Sequence, residues 1–266
     1  MFDRLRQQGY EIAVQSHAEA ILEQDFPKAI SDVEGALSNM QVPIAEIIGS
    51  GGGESKGTQR MRRALAERGW SKTNFEIKKT VNGVEKESIS HEIDHVKAFE
   101  KGTLALEIEW NNKDPFFDRD LENFKRLHAE GAISAGLIVT RGTSLHDAMY
   151  EFVLRFAVSN GIDSMEDLER FGIRPTLRQQ GQIRKRATRE KNPIEFAAAW
   201  ADQFVSDKYG EATTHWRKLT DRVARGVGNP CPLVLIGIPA GVVHFDETTP
   251  PEETVEAIRR AAIENG

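Results

Sequence analysis

The sequence predicts an α/β fold, a mixed β-sheet flanked by helices, and three observations predict it. Two strand-like runs, 88–99 and 103–110, are separated by Glu100-Lys101-Gly102, which has the length and chemistry of a hairpin turn. A stretch of helical period follows at 114–131. The apolar run AISAGLIVTRG at 132–142 is then short enough for a central strand buried on both faces. A hairpin leading into a helix and a buried strand requires a sheet with helices laid over it.

The remaining elements follow in order. GYEIAV at 9–14 reads as a short strand, and Ile30, Val33 and Leu37 recur at helical spacing after Pro27. SGGGES at 50–55 reads as a flexible turn, and Lys56 to Arg68 as a basic helix closed by Gly69. In 114–131, Asp114-Pro115 suits an N-cap with proline in the first turn, and Gly131 suits the stop. Phe117, Leu121, Phe124 and Leu127, with Phe116 beside them, give that helix a buried face. SLHDAMYEFVLRFAVSNG at 144–161 is a second capped amphipathic helix. Asn192-Pro193 opens a helix to about Lys208, and another runs near Thr213 to Arg225. PLVLIGIP at 232–239 is a late buried strand, and PPEETVEAIRRAAIENG ends the chain as a charged helix. No repeat or Pro/Gly/Ser linker divides the chain, so one domain over residues 1–266 is expected.

Composition narrows the function classes. With 39% hydrophobic and 29% charged residues, the 266-residue chain buries an ordinary core. No apolar run approaches the roughly 18 residues that span a bilayer. The N-terminus is charged from its third residue and lacks the long apolar stretch of a secretory signal. The single cysteine, Cys231, excludes an internal disulfide framework, so a reducing, cytoplasmic setting is expected. The net charge of −6 conceals an asymmetry. Arg174–Lys191 holds seven basic residues and one acidic, a local +6 that leaves −12 on the rest. Such a segment is either a phosphate-facing strip on an acidic body or a solvated basic loop.

The chemistry concentrates in Asp94, Glu107 and Glu109. Strand residues two apart share a face, so Glu107 and Glu109 point one way while Leu106, Ile108 and Trp110 point the other. Asp94 lies on the preceding strand, across the short turn, where its side chain can oppose Glu107. Three converging carboxylates raise one another's pKa unless a cation neutralises them, and an oxygen-only set suits Mg²⁺. The same spacing also fits a half-exposed strand with acidic residues facing water. His91 and His95 flank Asp94, but strict alternation puts them on the opposite face, in packing roles; His128 likewise has no nucleophile partner. No G-x-S-x-G elbow, P-loop or dinucleotide fingerprint is present; Gly51–Gly53 lacks the lysine spacing of a phosphate loop.

The segment IDHVKAFEKGTLALEIEWNNKDPFFDRDLENFKRLHAEGAISAGLIVTRG resembles the PD-(D/E)xK nucleases. Among them it is similar to the BglII/BstYI branch of type II restriction endonucleases, related to BamHI, as are SHAEAIL…DFP, IGSGGGESKG and CPLVLIGI. The resemblance implies a restriction-endonuclease-like fold with a catalytic core at about 50–160. It further implies Mg²⁺-dependent hydrolysis of DNA phosphodiesters at a short palindromic site, with 5′-phosphate and 3′-hydroxyl products. Asp94 and Glu107 would hold the metal. Glu109 stands where most of the superfamily has lysine, so it is either the general base or a further ligand. Glu54 is either an outer carboxylate or a charge partner for the helix that follows it.

The Asn111-Asn112-Lys113 stretch would read bases, with Asn112 at the position from which the related enzymes do so; on its own it is equally a helix-capping turn. Arg141 is expected to meet an outer base or a phosphate, and Arg184, Lys185, Arg186 and Arg189 to meet phosphates. A homodimer on double-stranded DNA, a partner methyltransferase in the host and a GATC-containing site are further implications. Helices near 115–130 and 144–160 are the suspected dimer interface. The competing readings are a sequence-specific DNA-binding protein without cleavage and a structure-selective repair nuclease.

Overall fold

The computed structural model describes residues 1–49, 54–189 and 193–245. The turn residues at 50–53, the Asn192 helix start and the expected terminal helix lie outside the described residues. In chain order the elements are α1 (Asp3–Gln7), β1 (Glu11–Gln15), α2 (Ala18–Asp25), α3 (Pro27–Leu37), β2 (Val42–Pro43), α4 (Ile44–Ile48) and α5 (Lys56–Ala66). There follow β3 (Ser71–Val81), β4 (Val84–Phe99), β5 (Gly102–Glu109), α6 (Phe116–Ala129), β6 (Ala135–Arg141), α7 (Thr143–Ser159) and α8 (Met165–Arg170). The last are α9 (Leu177–Ala187), α10 (Phe196–Tyr209), α11 (Trp216–Ala224), β7 (Leu233–Ile238) and β8 (Val243–His244).

These elements group into two compact units. The first contains residues 1–39, 60–143 and 214–239, and is built on a six-stranded sheet in the order β1-β7-β6-β5-β4-β3. Strands β5, β6 and β7 are mutually parallel, and β1, β4 and β3 are antiparallel to their neighbours, so the sheet is mixed as expected. Strand β6 lies between two parallel neighbours and all seven of its residues are buried, which explains its unbroken apolar run.

Helix α6 covers one face of this sheet. Its Phe117, Leu121, Phe124 and Leu127 are wholly buried against Ala105, Ile138, Leu233 and Leu235, each apolar side chain contributing about 1.5–3 kcal/mol. Gly136 permits the closest approach, because a Cβ there would stand 2.3 Å from the Phe124 ring. Pro115 occupies the N-cap of α6, one position earlier than expected, and no side chain caps it. Asp114 and Asp118 instead bind Arg222 of α11 at 3.2 and 2.9 Å.

One strand escapes the sequence reading. Strand β3 pairs with β4 along a long hairpin whose turn is Asn82-Gly83, both at positive φ. It is the sheet's edge, with alternate residues half-buried and the others exposed. Its pairing with β4 slips by one residue: Thr73 faces Ile93, but Ser71 faces Val96. Strand β4 therefore carries an extra residue at Asp94–His95, a β-bulge.

The second unit, residues 40–59, 144–213 and 240–266, is mainly helical, with a short parallel pair of β2 and β8. Trp200 and Phe204 of α10 stack at 5.5 Å, and Phe156 of α7 lies 6.4 Å from Trp200 and 5.5 Å from Phe171. The basic segment is no loop over most of its length. It forms α9, opened by a reciprocal capping box between Thr176 and Gln179. Helix α10 begins at Phe196, three residues beyond Pro193.

Candidate active site

The bulge in β4 organises the site. Ala105 of β5 lies in the core under α6, so Glu107 and Glu109, two and four residues on, face α6 as well. Asp94 stands one residue beyond the His95–Leu106 pair, opposite Glu107, and its N–H donates to Glu107 Oε1 at 3.4 Å. Because the bulge resets the alternation, Ile93 and Val96 both reach the core under α6. His91 then shares a cleft with Asp94, Glu107, Glu92, Arg119 and Asn123. The expectation that His91 faces away from Asp94 is thereby corrected. His95 does turn to the other face and is buried, its Nδ1 bonded to the Leu106 carbonyl at 3.1 Å. His128 is similarly tied to the Ile133 carbonyl at 3.1 Å.

Two of these three carboxylates are shut away from water. Glu107 and Glu109 are 4% and 3% exposed, whereas Asp94 is exposed at the cleft rim beside Lys72, whose Nζ is 3.7 Å away. Burial, reinforced by the charges of Asp120 and Asp94, pushes Glu107 up to about 9. Burial and the neighbouring Asp120 push Glu109 up to about 8. Nor do Asp94, Glu107 and Glu109 close on one point: their ligand atoms do not all fall within 4.8 Å of one another. Glu109 turns instead toward Asn112, whose Nδ2 donates to Oε2 at 2.6 Å, and toward Arg119, 3.6 Å from Oε1.

A fourth carboxylate, Asp120 of α6, belongs to the group and was not expected. It is fully buried, its Oδ1 accepts from Arg119 at 2.8 Å, and its Oδ2 has no hydrogen-bond partner. Burial raises its pKa too, although Arg119 pulls it back. Its sequence signal is faint: Asp120 follows the buried Phe117 by three and precedes the buried Leu121, so it belongs to the inner side of α6. Four carboxylates, three of them buried with raised pKa values and Asp94 at the rim, fit a hard divalent cation that supplies the missing positive charge.

The base-reading and phosphate candidates divide. Asn111 is half-buried, and Asn112 and Lys113 are exposed directly after β5. The Asn112 carbonyl accepts from the Thr214 N–H at 2.8 Å, fixing this loop. Arg141 is not at the surface. It is fully buried, with Nε on the Trp110 carbonyl at 2.7 Å and Nη2 on the Thr214 carbonyl at 2.8 Å, so its expected contact with DNA is replaced by bracing of the loops beside the site. In the second unit, Arg184, Lys185 and Arg189 are exposed, while Arg186 pairs with Asp202 at 2.5 Å and with Gln203 at 2.7 Å. Glu54 also belongs to the second unit; it is exposed, and its carbonyl accepts from Gln59 at 3.0 Å.

A family model described as restriction endonuclease BglII/BglIII matches residues 10–238. A search of individually curated proteins finds no match. No helix among the described residues is long and apolar enough to cross a membrane. The matched span takes in the whole six-stranded sheet, all four carboxylates and helix α9. The chain belongs to the BglII/BglIII family of restriction endonucleases, site-specific deoxyribonucleases whose substrate is DNA and whose chemistry implies a divalent metal.

Proposed function

We propose that the protein is a Mg²⁺-dependent type II endonuclease that acts as a homodimer on a short palindromic duplex site, leaving 5′-phosphate and 3′-hydroxyl ends. The observation that carries this reading is the pair of buried carboxylates with raised pKa values, Glu107 and Glu109, beside the rim carboxylate of Asp94. Asp94 and Glu107 are the residues assigned to hold the ion. When bound, Mg²⁺ lowers the pKa of a water and neutralises charge that develops on the phosphate. Glu109 is assigned to receive the proton of the attacking water, held meanwhile by Asn112. The bond from that water's oxygen to phosphorus forms as the bond to the 3′ oxygen breaks.

Asn111, Asn112 and Lys113 are assigned to the bases, since asparagine bonds adenine and lysine guanine in the major groove. The exposed Arg184, Lys185 and Arg189 are assigned to phosphates, which set position rather than sequence. A GATC-containing site and a host methyltransferase that protects it complete the reading, which predicts a cytoplasmic enzyme.

The test is digestion of long, unmethylated duplex DNA of known sequence, with Mg²⁺ and in parallel with EDTA. Discrete bands with Mg²⁺ alone are expected, and sequencing their ends gives the site and the overhang. A smear, or binding without cutting, would overturn the reading.

A further inference from the structure

The cleft at Asp94 is acidic, yet the phosphodiester it must receive is itself an anion. Of the side chains that line it, Arg119 alone carries a permanent positive charge. Three features show that this arginine is held rather than loosely solvated. Its Nε donates to Asp120 Oδ1 at 2.8 Å, and Nη2 reaches the same oxygen at 2.8 Å. Nη2 also lies 3.6 Å from Glu109 Oε1. The guanidinium carbon sits 4.4 Å from the centre of the Phe116 ring, which supports it from below. Its side chain is nonetheless 54% exposed, and its Nη1 donors meet no acceptor among the described residues.

The first turn of α6 brings a fixed positive charge to the cleft.

We infer that Arg119 is a catalytic residue that donates from Nη1 to a non-bridging oxygen of the scissile phosphate, with Asp120 as the buried positioning residue that aims it. Resting on the nuclease reading above, this assigns a further group at the same site. Arg119 keeps its protons throughout. Its planar fork suits a phosphate, and its hydrogen bonds strengthen as negative charge builds on the equatorial oxygens during attack. Asp120, fixed by burial, holds one edge of the guanidinium and leaves the other for substrate. Lys72 is a less suitable cation for the task, because its Nζ is already bonded to Glu92 at 2.7 Å.

The experiment compares wild type, Arg119→Ala, Arg119→Lys, Asp120→Asn and Lys72→Met. Single-turnover cleavage is measured with Mg²⁺ at saturating enzyme, and duplex affinity by anisotropy in EDTA. Arg119→Ala is expected to cleave about 100-fold more slowly, with affinity in EDTA changed less than about fivefold and partial recovery in millimolar guanidinium ion. Arg119→Lys should fall between, Asp120→Asn should slow cleavage without weakening binding, and Lys72→Met should stay near wild type. Melting curves report folding; if Arg119→Ala is unstable, Arg119→Lys with the guanidinium comparison decides. A cleavage rate within about threefold of wild type in Arg119→Ala would overturn the inference while leaving the nuclease reading intact. So would a loss of affinity in EDTA that matches the loss of rate. Absence of cleavage by wild type would overturn both.

Discussion

The first unit buries carboxylates in two places and treats them oppositely. Asp32 of α3 is 1% exposed, but Lys97 reaches its Oδ2 at 2.6 Å, Lys28 its Oδ1 at 3.1 Å, and the Trp70 indole donates at 3.3 Å. Burial alone would raise its pKa, yet the two lysines hold it below the usual carboxylate range. Under α6, burial acts on Glu107, Glu109 and Asp120 against weaker opposition, the Asp94 N–H on Glu107, Asn112 and Arg119 on Glu109, and Arg119 on Asp120, and all three pKa values rise. Two sets of acids shielded from water thus end with opposite electrostatics. A compensated acid is part of the scaffold, whereas an uncompensated group is a standing cost that persists at sites where a ligand supplies the missing charge.

The comparison can be broken in four ways. The largest effect is expected from Glu107→Gln or Asp94→Asn, which should slow cleavage by more than about 100-fold while duplex binding persists. Unchanged cleavage by both variants in a single-turnover assay would remove the site. Next, a divalent ion should stabilise wild type by about 2.7 kcal/mol at a hundred times its dissociation constant, and Glu107→Gln much less. Calorimetry with and without Mg²⁺ or Ca²⁺ reads this, and equal shifts in the two proteins would place the ion elsewhere. Third, Asp32→Asn should cost about 2 kcal/mol in urea unfolding, less than a fully buried pair because Lys28 is exposed. A stability unchanged from wild type would mean that the lysines do not compensate Asp32. The smallest effect is the pH dependence of that cost. Because the folded pKa of Asp32 is depressed, its contribution is complete above the unfolded value of about 4 and disappears as pH falls through the folded one. The gap between wild type and Asp32→Asn should therefore narrow in acid; a constant gap from pH 7 to pH 3 would contradict the ion pairing.

Much of this architecture was legible because its signals are local. The hairpin around Glu100-Lys101, the buried β6 and the apolar stripe of α6 each follow from a period and a turn, and β5 pairs with its neighbours as the alternation requires. What stayed hidden depends on tertiary context. Strand β3 is an edge strand rich in lysine and threonine whose alternation is too weak to mark a strand, and Asn82-Gly83 is its one clear hairpin signal. Strict alternation puts His91 on the wrong face, because one inserted residue in β4 reverses the period-two rule. Arg141 ends a strand like a surface residue, yet both loops beside it turn their carbonyls inward to receive it. Asp120 carries no motif of its own, since an aspartate in a charged helix reads as solvated until the sheet beneath it is known.

Gly136 has a reach well beyond its own position. The Phe124 ring occupies the space where its side chain would be, so the glycine sets how deeply α6 seats on the sheet. Arg119 and Asp120 ride on the same helix, and their distances to Glu109 follow from that seating. A methyl group at 136 would act as a shim: it would push the Phe124 ring, and the helix that carries it, away from the sheet and open the gap between guanidinium and carboxylate, detuning the cleft without touching any residue in it.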